Sequence, residues 1–153
     1  GSNAEILLSK MPCKQNANYE EWRIWFSKMP PLLNDGVILI GHSLGGIFLA
    51  KYLAQNNIDK KIKATILVAA PFDDEGTGEL ASFNLPASLE NFSKQAGQVY
   101  LFHSEDDVVV PVRELECYQR LLPKAIVYRL TGRGHFNSNE FPELISLLKT
   151  LSV

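Results

Sequence analysis

Short apolar segments recur along the chain and alternate with segments of helical periodicity. The middle apolar segments show no strict alternation of apolar and polar residues, which is typical of strands buried on both faces of a sheet. Helices between such strands favour an α/β fold with a mostly parallel sheet. We therefore predict five strands, over residues 4–9, 36–41, 64–70, 98–104 and 125–132.

Five helices are predicted between and after these strands. In the first, at residues 18–29, apolar side chains recur at helical spacing and Pro30 follows the run. We interpret the aromatic members of this stripe as core residues. The other helices are predicted from Leu44 to about residue 56, from about residue 88 to 96 with Gly97 as a C-terminal cap, over residues 112–122 after Pro111, and over residues 141–151.

Length and composition indicate one globular domain. The chain has 153 residues, which suffices for one core but not for two ordinary domains. Its 15 Lys and Arg nearly balance 17 Asp and Glu, so charge gives no reason to expect nucleic acid or a membrane surface as partner. No apolar run approaches the roughly 20 residues of a membrane helix. We interpret residues 1–4 as a tag remnant and residues 5–153 as a single domain.

Cysteine usage suggests no disulfide and no metal site. The chain has two cysteines, Cys13 and Cys117, which lack the CxxC spacing of metal or redox sites. Free thiols are typical of a reducing compartment. We therefore expect a cytoplasmic protein.

The sequence Gly-His-Ser-Leu-Gly-Gly, residues 41–46, lies where a predicted strand meets a predicted helix. A G-x-S-x-G pattern in this context forms a nucleophile elbow, a strained turn that holds the serine hydroxyl above the sheet edge. Gly41 and Gly45 would give this turn room. The helix from Leu44 would direct free N–H groups toward a developing oxyanion. Glycines there can also serve close packing alone, but the strand–helix context favours Ser43 as a nucleophile.

A serine nucleophile needs a general base, and the base needs an orienting carboxylate. Of the three histidines, His42 ends a buried strand and is expected to point away and pack, and His103 is expected to be structural. His135 lies in a glycine-punctuated loop after the last strand, and such loops gather over one crevice in a parallel sheet. We therefore predict His135 as the base.

Three acidic residues, Glu105, Asp106 and Asp107, follow the fourth predicted strand. A solvated acidic turn before a helix would also explain them. The chain order Ser43, Asp107, His135 is, however, the order that α/β-hydrolases use. Three such residues at three strand ends favour a catalytic triad.

Further motifs are Met-Pro after the first strand, the Trp-bearing first helix, and the segments "IGHSLGG", "ILVAAPF", "DDVVVP" and "GHFNSNEFPELI". In these residues, and over nearly its whole length, the chain resembles the small α/β-hydrolase-fold serine hydrolases of the YdeN and retinoblastoma-binding-protein type. The resemblance implies a truncated α/β-hydrolase fold, with a mostly parallel five-stranded sheet flanked by helices and no separate lid domain.

The resemblance also implies the roles of site residues. In the family's Asp-x-x-x-Pro turn the triad carboxylate lies four residues before the proline, which here is Asp107. Ser43 is then the nucleophile, His135 the base and the Leu44 N–H one oxyanion donor. The implied substrates are small acyl esters, thioesters or amides, with no metal or cofactor. The predicted substrate pocket, shaped in part by the irregular segment 71–87, contains His42, Phe72, Phe83, Leu85 and Phe136.

The sequence departs from the family pattern at its start. Family members have a strand, a His-Gly turn and a helix ahead of the segment equivalent to residues 4–9, and the turn normally supplies a second oxyanion donor. Loss of one donor costs on the order of 10² to 10³ in turnover, so a weak or inactive hydrolase scaffold that acts in binding is the alternative function. We expect either direct pairing of residues 4–9 with residues 36–41 and a homodimer over the bare sheet face, or a partner chain in the gap.

Overall fold

The computed structural model describes residues 5–152. Residues 1–4, interpreted above as a tag remnant, and residue 153 lie outside the described residues. The described chain contains four strands, β1 Val37–His42, β2 Ile62–Val68, β3 Gln98–Ser104 and β4 Ile126–Leu130. Its five α-helices are α1 Tyr19–Phe26, α2 Leu44–Gln55, α3 Glu90–Gln95, α4 Arg113–Leu121 and α5 Pro142–Leu151, and short 3₁₀ turns lie at Lys14–Asn16, Pro30–Leu32 and Ala81–Phe83.

The four strands form one parallel sheet in the order β1-β2-β3-β4. At the carboxyl ends, His42 pairs with Val68, and Ser104 pairs with Leu130. Parallel neighbours need crossover connections, and the predicted helices supply them. The predicted α/β fold is confirmed, and the segments that follow β1, β3 and β4 all leave the sheet at the same edge.

The strand predicted at residues 4–9 is wrong over residues 5–9, and the sheet formed by the described residues has four strands rather than five. Residues 5–9 have no regular secondary structure and are exposed, with Leu8 87% exposed. Within the described chain β1 pairs with β2 alone, so the predicted direct pairing of this segment with β1 is also wrong. An apolar run becomes a strand only where a neighbour satisfies its backbone N–H and C=O groups, and residues 5–152 offer this segment no such neighbour.

One face of the sheet carries an aromatic core built between α1 and α2. The predicted stripe of α1 is buried, and Phe48 of α2 lies 5.5–5.7 Å from the rings of Tyr19, Trp22 and Phe26. Such tilted and edge-on aromatic pairs each contribute about 0.5–1.5 kcal/mol beyond area burial. This cluster fixes α1 on α2, and α2 begins at the predicted serine turn.

The helix ends differ from prediction by a few residues, for local reasons. The Asn18 side chain caps α1 by accepting a hydrogen bond from the Glu20 N–H at 2.9 Å. The helix ends at Phe26, three residues before the predicted end, and a 3₁₀ turn follows at the two prolines. Gly97 has the left-handed φ of 66° predicted for the cap after α3.

The other face of the sheet is covered by α5. Its Leu147 packs against a second core that includes Ile66 of β2 and Phe102 of β3. Ile40, on the same face of β1, remains 45% exposed. The homodimer expected to cover this face stays a prediction.

The aromatic core predicts different effects for the two tryptophans of α1. Trp22 is 5% exposed and its indole N–H donates to the Pro12 carbonyl, whereas Trp25 is 44% exposed. Trp22→Ala should lower the free energy of unfolding by about 3–5 kcal/mol through lost burial and a cavity. Trp25→Ala should change it by about 0.5 kcal/mol or less. Urea unfolding of both variants measures this, and equal losses would contradict the assignment of the core.

Candidate active site

Ser43 occupies a strained turn between β1 and α2. Its backbone has φ 55° and ψ −120°, a conformation that non-glycine residues seldom adopt. The Ser43 N–H donates to the Val68 carbonyl at 2.8 Å, and the Ser43 carbonyl accepts from the Gly46 N–H at 2.8 Å. The predicted strand–turn–helix context is therefore present, with the serine at the carboxyl edge of the sheet.

Two glycines give this turn its room, and one of them differs from the prediction. A Cβ at Gly41 would lie 2.4 Å from the Gly45 carbonyl oxygen, and one at Gly46 would lie 2.6 Å from the Ala70 Cβ. A Cβ at Gly45 would have nothing within 4 Å. The expectation that Gly45 makes space is thus wrong, and Gly46 takes that role. The sequence has glycine at both positions 45 and 46, and this pair was the signal that could have indicated the role of Gly46.

His135 lies between Ser43 and Asp107. Its Nε2 is 2.9 Å from Ser43 Oγ, and its Nδ1 is 2.8 Å from Asp107 Oδ2. Because a carboxylate only accepts, the network assigns the ring proton to Nδ1 and leaves Nε2 free to accept from the serine hydroxyl. The Asp107 side chain is fully buried and that of His135 is 10% exposed. The three predicted residues therefore meet, from positions 43, 107 and 135 of the chain.

The turn after β3 holds the Asp107 carboxylate from its other side. Its Oδ1 accepts from the N–H groups of Val109 and Val110, both at 2.9 Å. The buried His103 donates from Nε2 to the Val110 carbonyl at 2.8 Å, which agrees with its predicted structural role. Burial lowers the pKa of His103, partly offset by that hydrogen bond and by Asp107, and so favours the neutral ring beside the aspartate.

The loop that carries His135 is held by side chains that sequence analysis did not place there. The prediction that His42 packs away from the site is wrong, because its side chain is exposed and contacts the loop. Its Nε2 donates to the His135 carbonyl at 2.8 Å. On the other side, Ser104 and Asp106 contact the loop amides before His135. The predicted place of His42 in the substrate pocket stays a prediction.

The predicted pocket residues lie in different surroundings. Phe83 is 2% exposed and packs edge-on against Trp22 at 5.0 Å, so its burial argues against contact with substrate. Phe72 is half-buried against Tyr118, at 5.1 Å. Phe136, at φ 56°, lies 5.0 Å from Phe141. Leu85 is half-buried against the core. The predicted oxyanion donor, Leu44, is the first residue of α2, so the Leu44 N–H has no acceptor within the helix.

A buried carboxylate on α4 fastens the start of the irregular segment 71–87. Glu114 is 3% exposed and accepts from the N–H groups of Phe72 and Asp73 at 3.1 and 3.2 Å. The Tyr118 hydroxyl donates to the Pro71 carbonyl at 2.7 Å. Burial raises the pKa of Glu114, although the two amide hydrogen bonds oppose the shift. In the sequence Glu114 looks like any acidic residue of a first helical turn, so nothing there marked this role.

Within residues 5–152, no three His, Cys, Asp or Glu side chains are placed to share a metal ion. Over the same residues, no helix is long and apolar enough to cross a bilayer.

The serine hydrolase family matches the chain over residues 6–149. This chain is a member of that family. Serine hydrolase RBBP9 of Rattus norvegicus is 35% identical to it over 151 residues, an alignment that covers 96% of this chain and 77% of the rat protein. The predicted family is thereby confirmed, and the serine hydrolase described here is an enzyme of the hydrolase type.

Solved structures show the same fold in more distant proteins. The ydeN gene product of B. subtilis superposes with a TM-score of 0.83 at 20% identity and covers 94% of this serine hydrolase and 80% of its own chain. A carboxylesterase structure from Nitrososphaera gargenis superposes with a TM-score of 0.69 at 16% identity, over 93% of this chain and 75% of that one. These likenesses confirm the α/β-hydrolase fold.

The two glycines of the G-x-S-x-G motif should respond oppositely to alanine. In Gly41→Ala the added methyl meets the backbone of α2, so the free energy of unfolding should fall by about 1–3 kcal/mol. In Gly45→Ala the methyl has open space in a helical turn, so stability should rise by about 0.4–1 kcal/mol. Urea unfolding midpoints of the two variants test this, and a Gly45→Ala variant as unstable as Gly41→Ala would refute it.

The buried Glu114 should give stability a pH dependence of predictable sign. The pKa of Glu114 is raised in the folded state, so the group stabilises the fold while it is protonated. Its contribution to the free energy of unfolding is fully present below the ordinary glutamate pKa of about 4.3 and is lost as pH rises through the raised value. Glu114→Gln keeps an amide acceptor and removes this titration. In urea unfolding from pH 4 upward, the free energy of unfolding of Glu114→Gln should therefore rise relative to that of the parent protein. The exposed Glu79→Gln variant should show the same pH dependence as the parent.

Proposed function

We propose that this serine hydrolase cleaves small acyl esters, thioesters or amides through an acyl-enzyme. Ser43 is the nucleophile, His135 the general base and Asp107 the carboxylate that orients the base. The observation that supports this is the hydrogen-bonded line from Ser43 Oγ through the His135 ring to the buried Asp107 carboxylate, at 2.9 and 2.8 Å. Nucleophile, base and orienting carboxylate within hydrogen-bond reach are what acyl transfer needs.

The proposed reaction has two halves that use the same histidine. His135 Nε2 takes the proton of Ser43 Oγ as that oxygen bonds to the acyl carbon, and the imidazolium then gives the proton to the leaving alcohol, thiol or amine as its bond to carbon breaks. Water, deprotonated by the same nitrogen, next attacks the acyl carbon. The bond from that carbon to Ser43 Oγ then breaks as the imidazolium returns its proton to Oγ, and the acid leaves. Asp107 stabilises the imidazolium in each half.

The amide at the start of α2 is the proposed donor to the oxyanion. Ser43 precedes the first residue of that helix, so the Leu44 N–H is the first amide after the proposed nucleophile and has no intrahelical acceptor. The positive end of the helix dipole supports negative charge at the same place. A donor aimed at the developing oxyanion accounts for on the order of 10² to 10³ in turnover.

The proposed acyl pocket is bordered by apolar side chains near the strand ends. Phe72 follows β2 in the segment fastened by Glu114, and Phe136 adjoins the base. Both are half-buried and so retain apolar surface, as does Leu85 of the same segment as Phe72. Small apolar acyl groups suit such a border, which supports short-chain esters as the first substrates to test.

Fluorophosphonate labelling tests the proposed nucleophile. The intact mass of the folded protein should increase by one adduct, and Ser43→Ala should gain none. His135→Asn should be labelled about 10²- to 10⁴-fold more slowly, because general-base assistance is lost. Ser138→Ala, an exposed serine of the segment after the base, serves as the matched control and should be labelled like the parent protein.

The outcomes separate the two functions considered for this chain. One adduct that depends on Ser43 would lead to hydrolysis assays with nitrophenyl acetate and butyrate, and then with matched thioesters and amides. No adduct on a protein shown to be folded would refute the hydrolase proposal. It would favour the alternative, a hydrolase scaffold that acts in binding.

A further inference from the structure

The proposed base sits on a loop in which one backbone hydrogen bond, from the Phe136 N–H to the Arg133 carbonyl at 3.0 Å, spans the histidine. Between β4 and α5, left-handed φ values occur at Gly132, Gly134 and Phe136, on both sides of His135. Glycines widen the range of conformations that such a loop can adopt. The Asp107 contact orients the histidine ring, but it does not by itself fix the backbone from which the ring projects.

Two side chains from the end of β3 hold the amides just before the base. The Arg133 N–H donates to Ser104 Oγ at 3.1 Å, and the Gly134 N–H donates to Asp106 Oδ1 at 3.1 Å. The Ser104 hydroxyl, having accepted from Arg133, donates its proton to the same Asp106 oxygen. Ser104 is fully buried, so the pair is anchored in the sheet. Two successive amides are thus tied to one strand end.

A third side chain holds the loop from the opposite end of the site. His42, the last residue of β1, donates from Nε2 to the His135 carbonyl at 2.8 Å, and the two rings lie 4.9 Å apart. Side chains at and just after the carboxyl ends of β1 and β3 therefore form hydrogen bonds with the backbone of residues 133–135. Ser43 follows β1 directly and Asp107 follows β3, so the same strand ends carry both partners of the base.

We propose that Asp106, acting with Ser104, is a positioning residue that sets the backbone of His135 and thereby the distance from His135 Nε2 to Ser43 Oγ. The inference rests on the proposed function. The two adjacent aspartates then divide the work: Asp107 binds the ring, and Asp106 binds the backbone one residue earlier. Asp106 is not the orienting carboxylate itself, because His135 Nδ1 donates to Asp107.

The chemistry of Asp106 suits this role although the residue is exposed. The Ser104 hydroxyl, and then the Gly134 amide, lower the pKa of Asp106, so it is an ionised acceptor at neutral pH. Hydrogen bonds to an ionised acceptor are shorter and stronger than neutral ones. A misplacement of about 1 Å can cost on the order of 10² in rate. Loss of the hydrogen bond between Asp106 and the Gly134 amide should therefore slow the reaction at Ser43.

The test is the kinetics of fluorophosphonate labelling at Ser43. In Asp106→Ala we expect the limiting rate at saturating reagent to fall by about 10- to 10²-fold, with the half-saturating concentration unchanged and one adduct at the end point. Asp106→Asn keeps the acceptor oxygen for both donors and should retain most of the rate. Glu105→Ala is the matched control, because this neighbouring acid pairs with Arg129 instead of the loop, and it should behave like the parent protein.

A second variant keeps the test informative if Asp106→Ala folds poorly. Ser104→Ala removes the hydroxyl that contacts both the Arg133 amide and Asp106, and it should slow the limiting rate as well. In the Ser104→Ala, Asp106→Ala double variant, the fold-reduction of the limiting rate should be smaller than the product of the two single reductions, because the two residues act as one unit.

Each result bears on one proposal or the other. A parent protein that gains no Ser43-dependent adduct overturns the proposed function and this inference together. Normal labelling of the parent with an unchanged limiting rate in Asp106→Ala overturns the inference alone. The inference alone is also overturned if Asp106→Ala lowers only the end-point amount of adduct, because that amount measures the fraction of protein that is folded. Equal losses in the alanine and asparagine variants would assign the effect to charge and overturn the positioning role.

Discussion

Parallel backbone pairing of β1 through β4 is the constraint on which the rest of this structure depends. Parallel strands all end at the same edge, so the residues that follow them are collected there whatever their separation in the chain. Ser43 follows β1, Asp107 follows β3 and His135 follows β4. One pattern of hydrogen bonds thus assembles a site from segments about 90 residues apart.

The strained serine turn depends on the packing beneath it. A left-handed non-glycine residue costs about 1–3 kcal/mol, and it persists only where its neighbours hold it. Here α2 lies against β1 because Gly41 has no side chain, and it lies against Ala70 because Gly46 has none. Farther along the same helix, Phe48 carries the aromatic core that binds α1. The energy of burying that core therefore supports the conformation of Ser43.

The histidine of the site is held in two ways that differ in environment. The Asp107 carboxylate is buried, bound by two turn amides, and directed at the ring. Asp106 is exposed and directed at a loop amide, and His42 reaches the loop from the other side. A loop with few regular backbone contacts can still present a side chain at one position if side chains from rigid strand ends hold its peptide groups.

Local sequence patterns determined much of this protein. Apolar runs marked the four strands, helical spacing marked α1 and α2, and the position of Gly-His-Ser-Leu-Gly-Gly between strand and helix indicated the turn at Ser43, because each of these depends on neighbours in the chain. Tertiary structure decided the rest. The pattern of residues 5–9 predicts a strand, but they pair with no other strand of the described chain. Phe83 lies in the core, and Glu114 accepts hydrogen bonds from backbone amides about 40 residues away. The same holds for His42 and Asp106, whose partners become neighbours only when the strands are aligned.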